Sequence, residues 1–386
     1  MTVQAPKKPS HAHKAANTCF SLAHEASKPV HWSTYRVYLL HKSLQEKAKD
    51  HPVSTWEKVA RFTPEVLLAF SIGLPLAVLS VSLSTLGSVF QAIAGKNHLE
   101  IQVGNPAAQK PADEDKLVIY NQNIGCLPGN ISQDATVAPA KAFNCKTQEE
   151  RREKAARVLI EKLQDDAEVI TLQETQDRNF INEFVRQAEQ KNLHLYLYTH
   201  FKDPWKVGID SGITVISKYP LDMQAKALPA EGDFGQRFFF PKFVVSFTFK
   251  NKTIATTHLL PGSKEESGEG RKKQLEAIYD TFTEKNIKLL EEAPPLKVKA
   301  KNLVLLGDLN LREGEGLPEG LVEVAYKSSE NSTMFIKETD DETFSDRVVR
   351  SSSVDDTDID AEICELDGDV TSYSDHKMIR SEIWSF

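Results

Sequence analysis

The stretch NLVLLGDLN, residues 302–310, joins a run of apolar residues to a polar end. The four consecutive apolar residues at 303–306 predict a buried β-strand. Asp308 and Asn310 follow this strand, and the functional side chains of α/β proteins are concentrated where strands end. The stretch therefore predicts a buried strand that delivers Asp308 and Asn310 to a candidate site.

Four other parts of the chain repeat this arrangement of a strand with a polar end. They are LVIYN (117–121) with Asn123, EVITLQ (168–173) with Glu174, TIATTHL (253–259) with His258, and YSDH (373–376) with Asp375 and His376. The runs GITVIS (212–217) and FVVSFTF (243–249) also predict strands, and Arg151–Leu163 and Arg271–Leu290 predict helices. Strands mixed with helices in this way predict a layered α/β sandwich.

Residues 66–95 contain no charged side chain over 30 positions. A helix of about 20 apolar residues can cross a bilayer, so the run predicts a transmembrane helix. Gly73 and Pro75 occur early in it, and a membrane hairpin is an alternative. A buried helix of a soluble protein is the other alternative.

The charges on the two sides of this run bear on its orientation. Residues 1–65 form a polar and basic N-terminal region with 10 Lys and Arg. For a single span, the positive-inside rule places this region in the cytoplasm and the C-terminal body across the membrane. A hairpin returns the body to the cytoplasmic side, and both topologies stay open. Residues 96–114 are predicted to be a polar linker, and 115–386 the body.

The charge of the chain is unevenly divided. Residues 1–112 carry 12 Lys and Arg against 6 Asp and Glu, whereas residues 113–386 carry 35 against 49. An acidic body argues against tight binding to nucleic acid, because neutralised phosphates supply most of that affinity. It does not exclude a small anionic substrate held by a few placed groups and a metal. The four cysteines have no CxxC spacing, which argues against a zinc site of the common kind.

The five polar strand ends, in this order and spelling, resemble the endonuclease/exonuclease/phosphatase superfamily. This superfamily includes deoxyribonuclease I, abasic-site endonucleases, neutral sphingomyelinases and inositol polyphosphate 5-phosphatases. The resemblance runs from about residue 115 to Phe386 and includes SGITVISKYPL at 211–221 and RKKQL at 271–275. It implies a four-layer α/β/β/α sandwich of the DNase I-like kind, and an enzyme that hydrolyses a phosphate ester.

The resemblance also implies a metal site. Glu174 resembles the principal ligand of Mg²⁺ (or Mn²⁺), with Asn123 and Asp375 beside it. Asn121 is the competing choice for the site asparagine, because the spelling YNQN permits either register.

The remaining motif residues resemble the catalytic groups of the family. His258 resembles the histidine that donates to the phosphate, Asp308 the group that positions the attacking water or assists the leaving group, and Asn310 a donor to a phosphate oxygen. His376 resembles the general base, which takes a proton from water if a carboxylate fixes its tautomer. Asp346 in FSDRVV is the implied carboxylate, and a turn residue is the alternative role for it.

Three kinds of function remain open at this point. A hydrophobic segment before a complete catalytic set, an order also seen in one branch of neutral sphingomyelinases, favours a membrane-associated, divalent-metal-dependent phosphoesterase. Its substrate would be a phospholipid headgroup or a phosphorylated small molecule. The alternatives are a Mg²⁺-dependent endo- or exonuclease and a non-catalytic, membrane-bound interaction protein.

Overall fold

Helices and strands are assigned from a computed structural model, which describes residues 14–16, 18–23, 26, 71, 74–93, 98–105, 115–126, 147–201, 211–231, 241–262, 265–282, 302–312, 315–324, 346–351, 354, 359–364, 376 and 378–384. The helices are α1 (Leu74–Ile93), α2 (Gln148–Gln164), α3 (Arg178–Gln190) and α4 (Glu265–Phe282). The strands are β1 (Leu99–Val103), β2 (Lys116–Asn123), β3 (Val169–Gln173), β4 (Leu195–Thr199), β5 (Thr214–Ser217), β6 (Gln224–Ala227), β7 (Phe243–Phe249), β8 (Lys252–His258), β9 (Leu303–Asp308), β10 (Leu321–Glu323), β11 (Asp346–Ser351), β12 (Ile359–Cys364) and β13 (Met378–Trp384).

The chain divides into two units, and the smaller one contains α1. It comprises residues 9–96 and 127–137, and the larger unit comprises 1–8, 97–126 and 138–386. In the smaller unit α1 packs against the helical segment 18–23. Gly87 lies so close to Phe20 that an added Cβ would be 2.9 Å from its ring, and Ser80 Oγ donates to the Ala23 carbonyl at 2.8 Å.

The membrane span predicted for residues 66–95 coincides with α1. Within the described ranges of the chain, no helix is both long and apolar enough to cross a membrane.

The larger unit contains two β-sheets. Seven strands form one sheet in the order β1-β4-β5-β3-β2-β13-β12, and six form the other in the order β10-β11-β9-β8-β7-β6. Of the strand pairs that the structure describes, β2 with β3 and β8 with β9 are parallel, and the rest are antiparallel. Each sheet therefore has one parallel pair near its centre.

Three apolar cores separate four layers of secondary structure. Leu159 of α2 and Phe184 of α3 pack on the outer face of the seven-stranded sheet. Ile119 and Val245 belong to the core between the two sheets, and Leu275 of α4 packs on the outer face of the six-stranded sheet. The order helix, sheet, sheet, helix is the α/β/β/α sandwich that the family resemblance implied.

Side chains of the central strands alternate between two cores, because these strands are buried on both faces. In β3, Ile170 and Leu172 face the helices, whereas Val169 faces the second sheet. In β2, Val118 and Ile119 divide in the same way. Because successive side chains of a strand point to opposite faces, this register decides which polar residues at the strand ends point between the sheets.

The prediction of a linker at 96–114 is wrong for residues 99–103, which form a strand. LEIQV at 99–103 alternates apolar and polar side chains and forms β1, an edge strand that pairs with β4 through Leu99 and Thr199. The larger unit therefore begins before Leu99 and not at residue 115. Strand alternation in five residues is a weak signal when a proline-containing polar stretch follows it.

Gly307 provides a test of the packing between β8 and β9. Its φ is +145°, and a Cβ added there would lie 2.1 Å from the carbonyl oxygen of Thr257 on the paired strand. Because both the backbone strain and the clash oppose a side chain, we expect Gly307→Ala to lower the free energy of unfolding by about 3 kcal/mol in urea denaturation.

Gly316→Ala is the matched control for this substitution. Gly316 is exposed, and an added Cβ would meet nothing within 4 Å. We expect a change of less than about 1 kcal/mol, in the stabilising direction. Equal stability of the two variants would contradict the close approach of β8 and β9.

Candidate active site

The two parallel strand pairs bring four predicted site residues to one edge of the sandwich. Pairing of β2 with β3 sets Asn123 opposite Gln173, and pairing of β8 with β9 sets His258 opposite Asp308. The carboxyl ends of parallel strands lie at the same edge of a sheet, and Glu174 follows directly after β3. Asn123, Glu174, His258 and Asp308 therefore meet where these strands end.

The Asp308 carboxylate lies at the centre of this group. Its Oδ2 accepts a hydrogen bond from Asn123 Nδ2 at 2.9 Å, and the Nε2 atoms of His258 and His376 are 3.6 Å and 4.0 Å away. Its Oδ1 accepts the backbone N–H of Asn310 at 3.0 Å. Only 2% of Asp308 is exposed, and a carboxylate at this depth requires donors and positive charge around it.

The amide of Asn123 is held at both ends. Its Nδ2 donates to Asp308, and its Oδ1 accepts the backbone N–H of Gly125 at 2.9 Å. Asn121, the competing site asparagine, lies two residues before the end of β2. Its Oδ1 accepts a hydrogen bond from Thr171 Oγ1 at 2.8 Å. The structure therefore brings Asn123, and not Asn121, to Asp308.

Two of the predicted site residues have a left-handed backbone. Glu174 has a φ of +56° and Asn310 a φ of +51°. Such angles are uncommon for residues other than glycine and are concentrated at functional sites. Glu174 Oε1 lies 3.9 Å from His258 Nε2, and its side chain is partly open to solvent.

The loop after β8 is held by the next helix and by Asn310. Asn310 Nδ2 donates to the Leu259 carbonyl at 3.3 Å. Arg271, fully buried, donates to the Leu260 carbonyl at 3.0 Å, and Gln274 Oε1 accepts the Leu260 N–H, also at 3.0 Å. The motif RKKQL at 271–275 thus holds the segment that follows His258.

His376 reaches the site from a segment that precedes β13. It is buried, and Gln122 Nε2 donates to its backbone carbonyl at 2.8 Å. Its predicted neighbour Asp375 lies outside the described residues. The side chain of Asp346 also lies outside them, but the pairing of β11 with β9 sets the Asp346 backbone opposite Asp308.

Burial and charge together keep His258 neutral. Burial lowers the pKa of His258 well below its usual value, and the charges of Lys242 and His376 act in the same direction. Burial also lowers the pKa of the half-buried Lys242 to about 8, although the Glu174 and Asp308 carboxylates oppose this shift. Near neutral pH a cationic lysine therefore interacts electrostatically with the two carboxylates, in the neighbourhood of an uncharged imidazole.

The donors at this site suit a hard divalent cation. The predicted ligands are Glu174, Asn123 and Asp375, and within the described part of the chain no group of three or more His, Cys, Asp or Glu is arranged to hold a metal. Mg²⁺ needs only one or two carboxylates and retains several waters. Asn123 adds an amide oxygen, which accepts the Gly125 N–H in this structure. The carboxylate of Glu174 and this amide oxygen therefore fit Mg²⁺ or Mn²⁺.

Three residues near the site were not predicted from the sequence. Gln122 and Gln173 each directly precede a predicted site residue, and their position at a strand end was the available signal. Lys242 follows a proline just before β7, whose ends carry no predicted site residue, so nothing in the local sequence marked it.

Comparisons with known proteins give likenesses in structure only. No sequence model of a protein family matches the chain, and no curated protein does. Sphingomyelinase C from Streptomyces griseocarneus is 15% identical over 69% of this chain and 99% of that chain, with a TM-score of 0.48. Truncated TDP2 from Caenorhabditis elegans is 15% identical over 70% and 97%, with a TM-score of 0.44. Beta toxin from Staphylococcus aureus is 14% identical over 69% and 99%, with a TM-score of 0.47.

The depressed pKa of His258 predicts how stability depends on pH. The unfolded chain binds a proton at this histidine below about pH 6.5, and the folded chain does not until a much lower pH. The unfolded state therefore binds more protons in this window, so stability falls as the pH falls. His258→Gln should remove a slope of about 1.4 kcal/mol per pH unit from urea denaturation curves between pH 6.5 and 5. The same slope in both proteins would show that His258 is protonated in the fold.

Proposed function

We propose that this chain is a divalent-metal-dependent phosphoesterase that acts on a phospholipid headgroup at a membrane surface. The observation that carries the proposal is the convergence of Asn123, His258 and His376 on the Asp308 carboxylate, with Glu174 beside them. These residues come from five separate parts of the sequence, and they match five motifs of one hydrolase superfamily. The stability of the fold does not require a carboxylate, two imidazoles and an amide to lie together at the ends of strands.

Hydrolysis of a phosphate ester needs an activated water and donors for the charge that develops on the phosphate oxygens. His376 accepts the proton of the attacking water as general base. Asp346, on the strand beside Asp308, would orient its imidazole, and Asp308 holds the water or assists the leaving group. His258, kept neutral by burial, can donate one ring N–H to a phosphate oxygen without carrying charge.

Glu174, Asn123 and Asp375 would hold the metal, and a bound Mg²⁺ would neutralise charge on the phosphate and polarise its ester bond. Lys242 adds a second cation that faces the Glu174 and Asp308 carboxylates. Asn310 adds a donor from the loop after β9. A cationic group and several neutral donors suit a single phosphate better than a long polyanion, because the body as a whole is acidic.

The helix α1 supports the membrane part of the proposal. It contains no charged residue, and five of its apolar side chains are between 37% and 60% exposed: Val78, Leu79, Val81, Leu86 and Val89. The hydroxyls of Ser82 and Thr85, also exposed, donate to carbonyls one turn earlier at 2.8 Å. Because these hydroxyls need no water, the exposed side of α1 can contact lipid chains.

A panel of substrates tests the reaction and the substrate together. We expect release of phosphocholine from sphingomyelin vesicles, or of inorganic phosphate from phosphoinositide vesicles, in Mg²⁺, and no release in EDTA. Glu174→Gln should lower the rate by roughly 100-fold and raise the Mg²⁺ concentration required, because the amide keeps the shape and loses the charge. Glu189→Gln, on the exposed surface of α3, is the matched control and should be unchanged.

The outcomes of this panel separate the alternatives. Nicking of plasmid DNA without hydrolysis of lipid or soluble inositol phosphates would make the chain a nuclease. No Mg²⁺-dependent hydrolysis of any of these substrates would favour the non-catalytic interaction protein.

The membrane surface is tested by a charge on the exposed side of α1. Val81→Asp should weaken partition of the full chain into phosphatidylcholine vesicles by about 2–3 kcal/mol, because a carboxylate is costly among lipid chains. Val322→Asp, at a similarly exposed apolar position on β10, should partition as the unaltered chain does. Equal partition of all three proteins would remove α1 as the lipid contact.

A further inference from the structure

A network of buried polar side chains crosses between the two sheets beneath the candidate site. Gln173 Nε2 donates to Asn121 Oδ1 at 2.9 Å and to Thr256 Oγ1 at 3.1 Å, and Thr171 Oγ1 donates to the same Asn121 oxygen at 2.8 Å. Asn121, Thr171 and Gln173 belong to the seven-stranded sheet, and Thr256 belongs to the six-stranded sheet. All four are at most 1% exposed, so the network that joins the two sheets is fully buried.

Each end of this network is next to a residue of the site. Gln173 directly precedes Glu174, and Asn121 is two residues before Asn123 on the same face of β2. Thr256 is two residues before His258 on the same face of β8. The network therefore connects the strand that carries Glu174 with the strand that carries His258.

The side chain of Glu174 points to the side of the sheet opposite to the one that regular strand alternation predicts. Ile170 and Leu172 face the helices, so regular alternation would direct Glu174 to the helices as well. Instead, two consecutive side chains reach the same strand: Gln173 bonds Thr256, and Glu174 Oε1 lies 3.9 Å from His258 Nε2. The φ of +56° at Glu174 breaks the alternation and makes this possible.

A left-handed backbone at a residue other than glycine persists only when its surroundings enforce it. The two hydrogen bonds donated by Gln173 fix the peptide that leads into Glu174, and they fix it relative to both neighbouring strands. A side chain without donors at position 173 would leave the turn at Glu174 free to return to regular strand geometry.

Stability alone does not explain the network. Asn121 Nδ2 and Gln173 Oε1 are buried and have no hydrogen-bond partner among the residues that the structure describes. Each such group costs about 1–3 kcal/mol, and apolar side chains of similar size would avoid that cost. The network therefore retains its polar groups at the expense of stability, directly beneath the site.

We propose that Gln173 is a positioning residue, which through its hydrogen bonds to Asn121 and Thr256 holds Glu174 in the left-handed conformation that directs its carboxylate to His258. This inference rests on the proposed function, in which Glu174 holds a divalent metal. Residues that orient metal ligands typically contribute 10- to 100-fold to metal affinity.

Thermal melting of the full chain at increasing Mg²⁺ concentration tests the proposal without any substrate. A ligand that binds only the folded state raises Tm in proportion to the logarithm of its concentration over Kd. In Gln173→Met, which keeps the length and loses the donor, we expect the Mg²⁺ concentration needed for a given rise in Tm to increase by about 10- to 100-fold. The Tm without metal should be close to that of the unaltered chain, because the substitution removes the buried Gln173 Oε1, which has no partner in the described part of the chain, together with the two hydrogen bonds that Nε2 donates.

Two further variants separate positioning from packing. Gln173→Glu keeps the shape but replaces the donor with an acceptor, so it should lose Mg²⁺ affinity as Gln173→Met does. Ser217→Ala is the control, since Ser217 Oγ accepts the Tyr219 N–H at 3.0 Å in a fully buried position beside the opposite end of β3. It should lower Tm and leave the Mg²⁺ dependence unchanged. Wild-type Mg²⁺ dependence in a folded Gln173→Met protein would overturn the proposal.

Failure of the proposed function has a different signature. If Mg²⁺ does not change the Tm of the unaltered chain, the proposed Mg²⁺ site is wrong. The positioning role of Gln173 is then tested by the hydrolysis rate on the substrate panel. A rate in Gln173→Met equal to that of Ser217→Ala would overturn the positioning role. A rate lower by tenfold or more would support it.

Discussion

The burial of the Asp308 carboxylate is the constraint on which the arrangement of this site depends. A carboxylate that is 2% exposed must be surrounded by donors, and the chain supplies them from three directions. Asn123 donates from the neighbouring sheet, the Asn310 backbone donates from the same turn, and two imidazoles lie within 4.0 Å. The parallel pairing of β8 with β9 sets one of these imidazoles opposite Asp308. The two sheets are therefore connected at their strand ends by polar contacts, whereas an apolar core holds them together further down.

Backbone strain and buried polar groups occur at the same edge of the sandwich. Glu174 and Asn310, one at the end of each parallel pair, both have left-handed backbones. The amide network of Asn121 and Gln173 lies beneath the first of these turns and leaves two buried groups without partners in the described part of the chain. Left-handed backbones also occur at Asn192 and Lys250, and Tyr196 has a buried hydroxyl without a described partner, so neither feature alone marks a site. Their coincidence at residues of the strand-end motifs is the pattern expected of a functional site.

Much of the larger unit could be predicted from the sequence, and the errors have physical causes. The apolar runs at β3, β8 and β9 are buried on both faces, so they are recognisable without any partner. The helix α3 and the strands β1, β4, β6, β10, β12 and β13 were not predicted. The signals of β1 and α3 depend on packing: β1 is defined by its pairing with β4, and α3 by an apolar stripe of Phe180, Ile181 and Phe184.

In the candidate site too, some residues could be predicted from local sequence motifs and others only from the folded structure. The order and spelling of five strand-end motifs, through their family resemblance, predicted Asn123, Glu174, His258, Asp308 and His376, and the structure brings these residues together. The choice between Asn121 and Asn123 depended on register, which only the pairing of β2 with β3 decides. Lys242 contributes through its place in the folded chain, and no pattern of spacing along the sequence carries that information.

These strand ends are proposed to form a divalent-metal site with Glu174 as its main ligand. Anomalous X-ray scattering from crystals of the full chain grown with Mn²⁺ locates such an ion. We expect one Mn²⁺ ion bound to the Glu174 carboxylate at about 2 Å, with Asn123 and Asp375 as the other protein ligands. Well-ordered crystals with Mn²⁺ bound elsewhere, or with none near Glu174, would contradict this proposal.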